Sequence, residues 1–178
     1  TYTLAAVHNV TEGPNGLPAV TSAVTIQGNG ATVERSAAGG TPELRMLFVG
    51  PTGKLRLEAM TLRNGAVRSF DSNGDCAGGG ALRAHSGQLT LVGVTLHSNW
   101  VRNPVGQLAP VCSGGGGVGA LSATLTVTDS IVRENSSEVS GGGIHTEDST
   151  VTITGTTIAE NHAETTLPYD SRGGGIVF

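Results

Sequence analysis

Aromatic residues make up only 3% of this chain and charged residues only 13%. So few large rings cannot fill one thick globular core, which predicts a thin, divided interior. Lys and Arg together number 10, against a formal net charge of -4, and no basic run occurs anywhere. The electrostatic term that drives nucleic-acid binding is therefore missing, and no nucleic-acid partner is expected. Apolar runs extend over a handful of residues, far short of the ~18 that suggest a bilayer crossing, so no membrane span is expected. The first residues are Thr1-Tyr2-Thr3-Leu4 with no methionine, which reads as a processed or trimmed terminus.

Glycine, by contrast, is abundant, with 28 residues concentrated in clusters. Clusters at Gly78-Gly79-Gly80, Gly115-Gly116-Gly117, Gly141-Gly142-Gly143 and Gly173-Gly174-Gly175 each open a copy of one unit. Within the copies the apolar pairs Val24/Ile26, Leu55/Leu57, Leu89/Leu91, Leu125/Val127 and Val151/Ile153 flank Thr25, Arg56, Thr90, Thr126 and Thr152. This alternation has the period of a strand. A corner follows, then a second apolar position at Val33, Leu62, Leu96, Val132 or Ile158, and a third strand begins near Leu82, Val118, Ile144 and Ile176. Repeats of a few tens of residues signal a solenoid, because one such unit cannot bury its own apolar face. The reading is an all-β parallel β-helix of about five turns, three short strands per turn, forming a single domain over residues 1–178.

Asn64, Asn99, Asn135 and Asn161 each close a second strand, where a stacked side-chain amide can cap the turn and bond the next amide along the coil. An internal ladder is expected, with ligand binding as the alternative. The glycine clusters suit positive φ and close backbone approach, whereas a phosphate loop would need the Lys-Ser/Thr that is missing here.

With these residues assembled, the chain resembles the right-handed parallel β-helix repeat proteins, the group of pectate-lyase-like folds and many secreted or surface-exposed bacterial solenoids. The resemblance rests on Asn15-Gly16-Leu17-Pro18, on the stretch Val24-Thr25-Ile26-Gln27-Gly28-Asn29-Gly30-Ala31-Thr32-Val33 and on Gly141-Gly142-Gly143-Ile144-His145-Thr146. It implies a right-handed coil and covers nearly the whole chain, but this superfold carries enzymes, adhesins and structural modules alike. Polysaccharide lyase, hydrolase or epimerase chemistry resembling that group would need grouped carboxylates and a nearby Arg or Lys base. No such group stands out, so no catalytic residue is assigned. His8, His85, His97, His145 and His162 fall in no common column, and Glu147-Asp148 reads as a solvated turn.

Cys76 and Cys112 each lie two residues before a glycine run, at equivalent corners of consecutive turns. Stacked corners ~4.8 Å apart fall within the Cα separation a disulfide accepts. A Cys76–Cys112 bridge is expected, contributing on the order of 3 to 4 kcal/mol and implying an oxidising compartment, with two reduced thiols as the alternative.

Repeat length varies after each asparagine, over residues 65–77, 100–113, 136–140 and 162–172. These insertions share one rim, and Phe70, Trp100 and Tyr169 lie on it as candidate binding aromatics for sugar or protein. Asp71, Asn73 and Asp75 form a weak Ca²⁺ candidate whose glycine is misplaced for an EF-hand, and no other cofactor is expected. A grid of Thr124/Thr126/Thr128 over Thr150/Thr152/Thr154 raises ice binding, but it covers only two turns. After Gly175 the residues Ile176, Val177 and Phe178 begin a turn without completing it, which predicts either a longer natural chain or a covering partner at that end. The expected function is a noncatalytic extracellular or cell-surface module with a structural, adhesive or assembly role, acting through protein partners or self-association. A carbohydrate-binding or polysaccharide-degrading β-helix is the alternative, and an ice-binding protein a further one.

Overall fold

A computed structural model describes residues 1–68, 78–102, 114–138, 140–164 and 173–178. The described residues form strands and connecting turns without a helix, stacked as a parallel β-solenoid of about four turns. The first turn holds β3 (Leu47–Val49), β4 (Lys54–Arg63) and β5 (Ala66–Arg68). The second holds β6 (Leu82–His85), β7 (Gln88–Val92), β8 (Thr95–His97) and β9 (Trp100–Arg102). The third is β10 (Val118–Leu121), β11 (Thr124–Thr128), β12 (Ile131–Arg133) and β13 (Ser136–Ser137). The fourth is β14 (Ile144–Glu147), β15 (Thr150–Thr154), β16 (Thr157–Ala159) and β17 (His162–Ala163). Before them come β1 (Tyr2–Leu4) and β2 (Ala23–Arg35), and after them β18 (Ile176–Val177).

Three parallel sheets result: a long sheet of nine strands, an entry sheet of five (β3, β6, β10, β14, β18) and an exit sheet of four (β5, β9, β13, β17). The count is smaller than the expected five turns because the first repeat contributes β2 to the long sheet but only isolated bridges, Asn15 to Arg45 and Val20 to Val49, beside the entry sheet. The first turn holds the expected three strands, β4 running unbroken through its corner, and the second to fourth turns hold a fourth. The residues expected to be pure insertion begin with the exit-sheet strand, whose two or three residues are too few to show a period.

Corners are built from one backbone device. Residues in left-handed φ separate successive strands, as at Gly115 (φ 74), Ser122 (φ 48), Asp129 (φ 48) and Glu134 (φ 53) around the third turn. Most residue types resist this conformation by about 1–2 kcal/mol, and glycine does not. Gly115 has a second reason, since a Cβ there would stand 1.8 Å from the Val118 carbonyl oxygen.

Inside the coil, register turns sequence alternation into columns. Leu55, Leu89, Leu125 and Val151 stack in one, and Leu57, Leu91, Val127 and Ile153 in the next. Leu62, Leu96 and Val132 face them from the second arm of the long sheet, and Leu82, Val118 and Ile144 from the entry sheet. All of these side chains except the partly buried Val151 and Ile153 are buried, each contributing roughly 1.5–3 kcal/mol by leaving water. Small and medium aliphatic groups fill the narrow interior, which accounts for the shortage of aromatics.

Candidate functional site

A column of stacked side-chain amides runs along the coil. Asn99 Nδ2 donates to Asn135 Oδ1 at 2.9 Å, and Asn135 Nδ2 donates to Asn161 Oδ1 at 2.9 Å. The second proton of each amide goes back one turn, to the carbonyls of Leu62 (3.2 Å), Leu96 (3.0 Å) and Val132 (2.8 Å). The expected fourth member, Asn64, does not join. Its φ of 63° places it with Ser98, Glu134 and Glu160 at the corner, and the next residue, Gly65, takes the column position, its N–H donating to Asn99 Oδ1 at 2.8 Å. The alignment slips by one residue because Asn64-Gly65 offers an asparagine at the corner and none in the column.

A second polar cluster lies where the amino-terminal segment crosses the entry sheet. Asn9 and Asn15 pair antiparallel, and the turn between them carries Glu12 in left-handed φ at its tip. Glu12 reaches Arg83 Nε at 2.9 Å and the Nδ1 of His85 at 2.6 Å, both on β6. Below it Arg45 is wholly buried. Its guanidinium donates to the carbonyls of Glu12 (3.1 Å), Gly78 (3.1 Å) and Gly79 (2.9 Å) and to Asn15 Oδ1 (3.0 Å). Burial, reinforced by the Arg83 charge and opposed by Glu12, pulls the Arg45 pKa down to about 9, which leaves it cationic at neutral pH. A buried cation is tolerated only with such a full set of acceptors. Sequence reasoning assigned no role to Glu12, Arg45 or Arg83. The available signal was an arginine inside the apolar run Leu44-Arg45-Met46-Leu47.

Of the rim aromatics, Trp100 is described, on β9 and partly buried. The Arg102 guanidinium carbon lies 4.6 Å from its ring centroid and that of Arg68 5.9 Å. Arg68 also forms a two-pronged contact with Glu43 at 3.1–3.3 Å, and Arg102 approaches Glu138 at 4.0 Å. Phe70, Tyr169, Cys76, Cys112, Asp71, Asn73 and Asp75 lie outside the described residues.

Outward columns of the long sheet are now fixed by register. Lys54, Gln88, Thr124 and Thr150 form one, Arg56, Thr90, Thr126 and Thr152 a second, and Glu58, Val92, Thr128 and Thr154 a third. The threonine grid therefore exists and gives way to charge at β4. Among the histidines, His145 stands against Gly114 and is half buried, and burial holds its pKa below the ordinary value, partly offset by Glu147. His97 is shifted the same way, again chiefly by burial. His85 is the one bound to a carboxylate at close range among the described residues. Glu34, on β2, is lowered mainly by its hydrogen bond from Arg63, 2.7 Å away.

No group of three or more His, Cys, Asp or Glu among the described residues is placed to hold a metal ion, and no described helix is long and apolar enough to cross a membrane. No protein-family model, no curated protein and no solved structure matches this chain.

Proposed function

We propose that the chain is a noncatalytic extracellular or cell-surface β-solenoid module with a structural, adhesive or assembly role. The observation that carries this reading is the register itself, which repeats outward side chains turn after turn into straight columns. Such columns make broad, flat faces suited to an extended macromolecular partner, whereas a small substrate calls for a concave pocket. Several charged groups among the described residues are engaged in pairs, Glu12 with Arg83 and His85, Glu34 with Arg63, and Arg56 with Glu58.

An extracytoplasmic location goes with the Cys76–Cys112 bridge. Support comes from the glycines two positions downstream of each cysteine, since Gly114 accepts from Gly79 N–H at 3.1 Å and a Cβ at Gly78 would stand 2.5 Å from its carbonyl oxygen. Alkylation of the native protein is expected to label neither thiol before reduction and both after it. Two reactive thiols in the unreduced protein would remove this support.

The role itself is tested by presenting the protein to a glycan array and to acidic and neutral polysaccharides, with product release followed over time. No turnover and no selective sugar retention are expected. Turnover, or retention of one sugar class, would replace this reading with a carbohydrate-active or carbohydrate-binding one.

A further inference from the structure

Four outward positions of the exit sheet stack into one column with segregated charge. Arg68 on β5 is in register with Arg102 on β9. Backbone bonds from Glu138 N–H to the Val101 carbonyl and from Glu164 N–H to the Ser137 carbonyl carry the same position into the next two turns. Along the coil the order is thus two cations, then two carboxylates. Arg68, Arg102 and Glu164 are exposed and Glu138 partly so.

Parallel stacking sets like charges about 4.8 Å apart, an unfavourable arrangement within a single chain. Glu43 relieves Arg68, and Glu138 meets Arg102 at 4.0 Å. Exposed pairs of this kind are worth at most about 1 kcal/mol, so exchanging them for equivalent partners costs little.

We infer that this face docks on the same face of a second copy, with the two coils antiparallel. A two-fold axis in the interface, running along the strands between β9 and β13, sets Arg102 against Glu138 of the partner subunit and Arg68 against Glu164 of the partner subunit. Symmetry repeats both pairs, as an isologous contact requires. The same operation sets Trp100, the residue type most favoured at interface centres, against Ser136 of the partner subunit. Parallel coils would oppose arginine to arginine and glutamate to glutamate, so charge selects the antiparallel form.

The column spans about 14 Å, three strand spacings. Its area is well below the ~800 Å² per partner of a stable interface, so the dimer is weak and concentration-dependent. This proposal rests on the assembly role and specifies its partner.

Sedimentation velocity on the whole chain across a concentration series tests it, with circular dichroism verifying the fold of each variant. A dimer should grow with concentration and recede as salt rises. Arg102→Glu alone and Glu138→Arg alone should each weaken self-association by at least about ten-fold. An equimolar mixture of the two variants should form a heterodimer, because acid then faces base at both central pairs. Two merely destabilised chains would not show that restoration. A monomer at every concentration, a dimer indifferent to both substitutions, or a mixture that stays monomeric would each overturn the interface. The glycan and turnover assays judge the broader role independently of this result.

Discussion

Asn135 shows how much one polar side chain does in this coil. Its Oδ1 accepts from both the backbone and the side-chain amide of Asn99, at 3.1 and 2.9 Å, while its Nδ2 donates to Asn161 and to Leu96. Asn135→Ala strands several buried groups at once and should cost about 2–4 kcal/mol in chemical denaturation, several unmade bonds at roughly 1–3 kcal/mol each being only partly recovered by relaxation. Asn64→Gly, at a left-handed corner outside the ladder, should be neutral or slightly stabilising. Equal losses at the two sites would contradict the ladder as described.

His145 supplies the pH dependence at this scale. Its folded pKa lies below the ordinary imidazole value because of burial, so between the two values the unfolded chain binds more protons than the folded one. Stability is therefore full above about pH 6.5 and declines as pH falls through the folded pKa. His97 acts in the same direction. His145→Gln should flatten the acid side of a stability-against-pH profile. An unchanged slope would show that the ring is not held neutral by its surroundings.

At the scale of the element, the amino-terminal hairpin is the part that sequence patterns revealed least. Glu12 is separated by more than 70 residues from its partner Arg83, at |i−j| of 71, and no alternation or repeat links them. The pairing exists because the turn between Asn9 and Asn15 projects one carboxylate over a nearly buried guanidinium. Glu12→Gln leaves Arg83 without its counter-charge and should cost about 1–3 kcal/mol, less than a fully buried pair because Glu12 keeps some exposure to water. Hydrogen exchange in β6 should rise ahead of exchange in β11 in that variant. Uniform protection in both strands would mean that the hairpin does not fasten the entry sheet. Long-sheet strands, in contrast, were readable beforehand, since Leu89-Thr90-Leu91 and Leu125-Thr126-Val127 show the two-residue period directly. Exit-sheet strands such as Ser136–Ser137 were hidden by their shortness.

For the whole molecule, repetition made the architecture apparent while leaving the outward surface open. Inward columns are dictated by alternation, so Leu57, Leu91 and Val127 could be aligned from sequence alone, and the structure places them in register. Outward residues obey no such rule. The opposed charges of Arg102 and Glu138 become neighbours only once the exit sheet is recognised as a strand rather than a loop.

The central claim is that equivalent residues of successive turns lie directly over one another in parallel register. Nuclear Overhauser contacts from the backbone of Thr126 test it most directly. Parallel stacking predicts cross-strand contacts from Thr126 to the neighbourhoods of both Thr90 and Thr152, on opposite sides. Contacts from Thr126 to an antiparallel strand within its own repeat, with none to Thr90 or Thr152, would contradict the account.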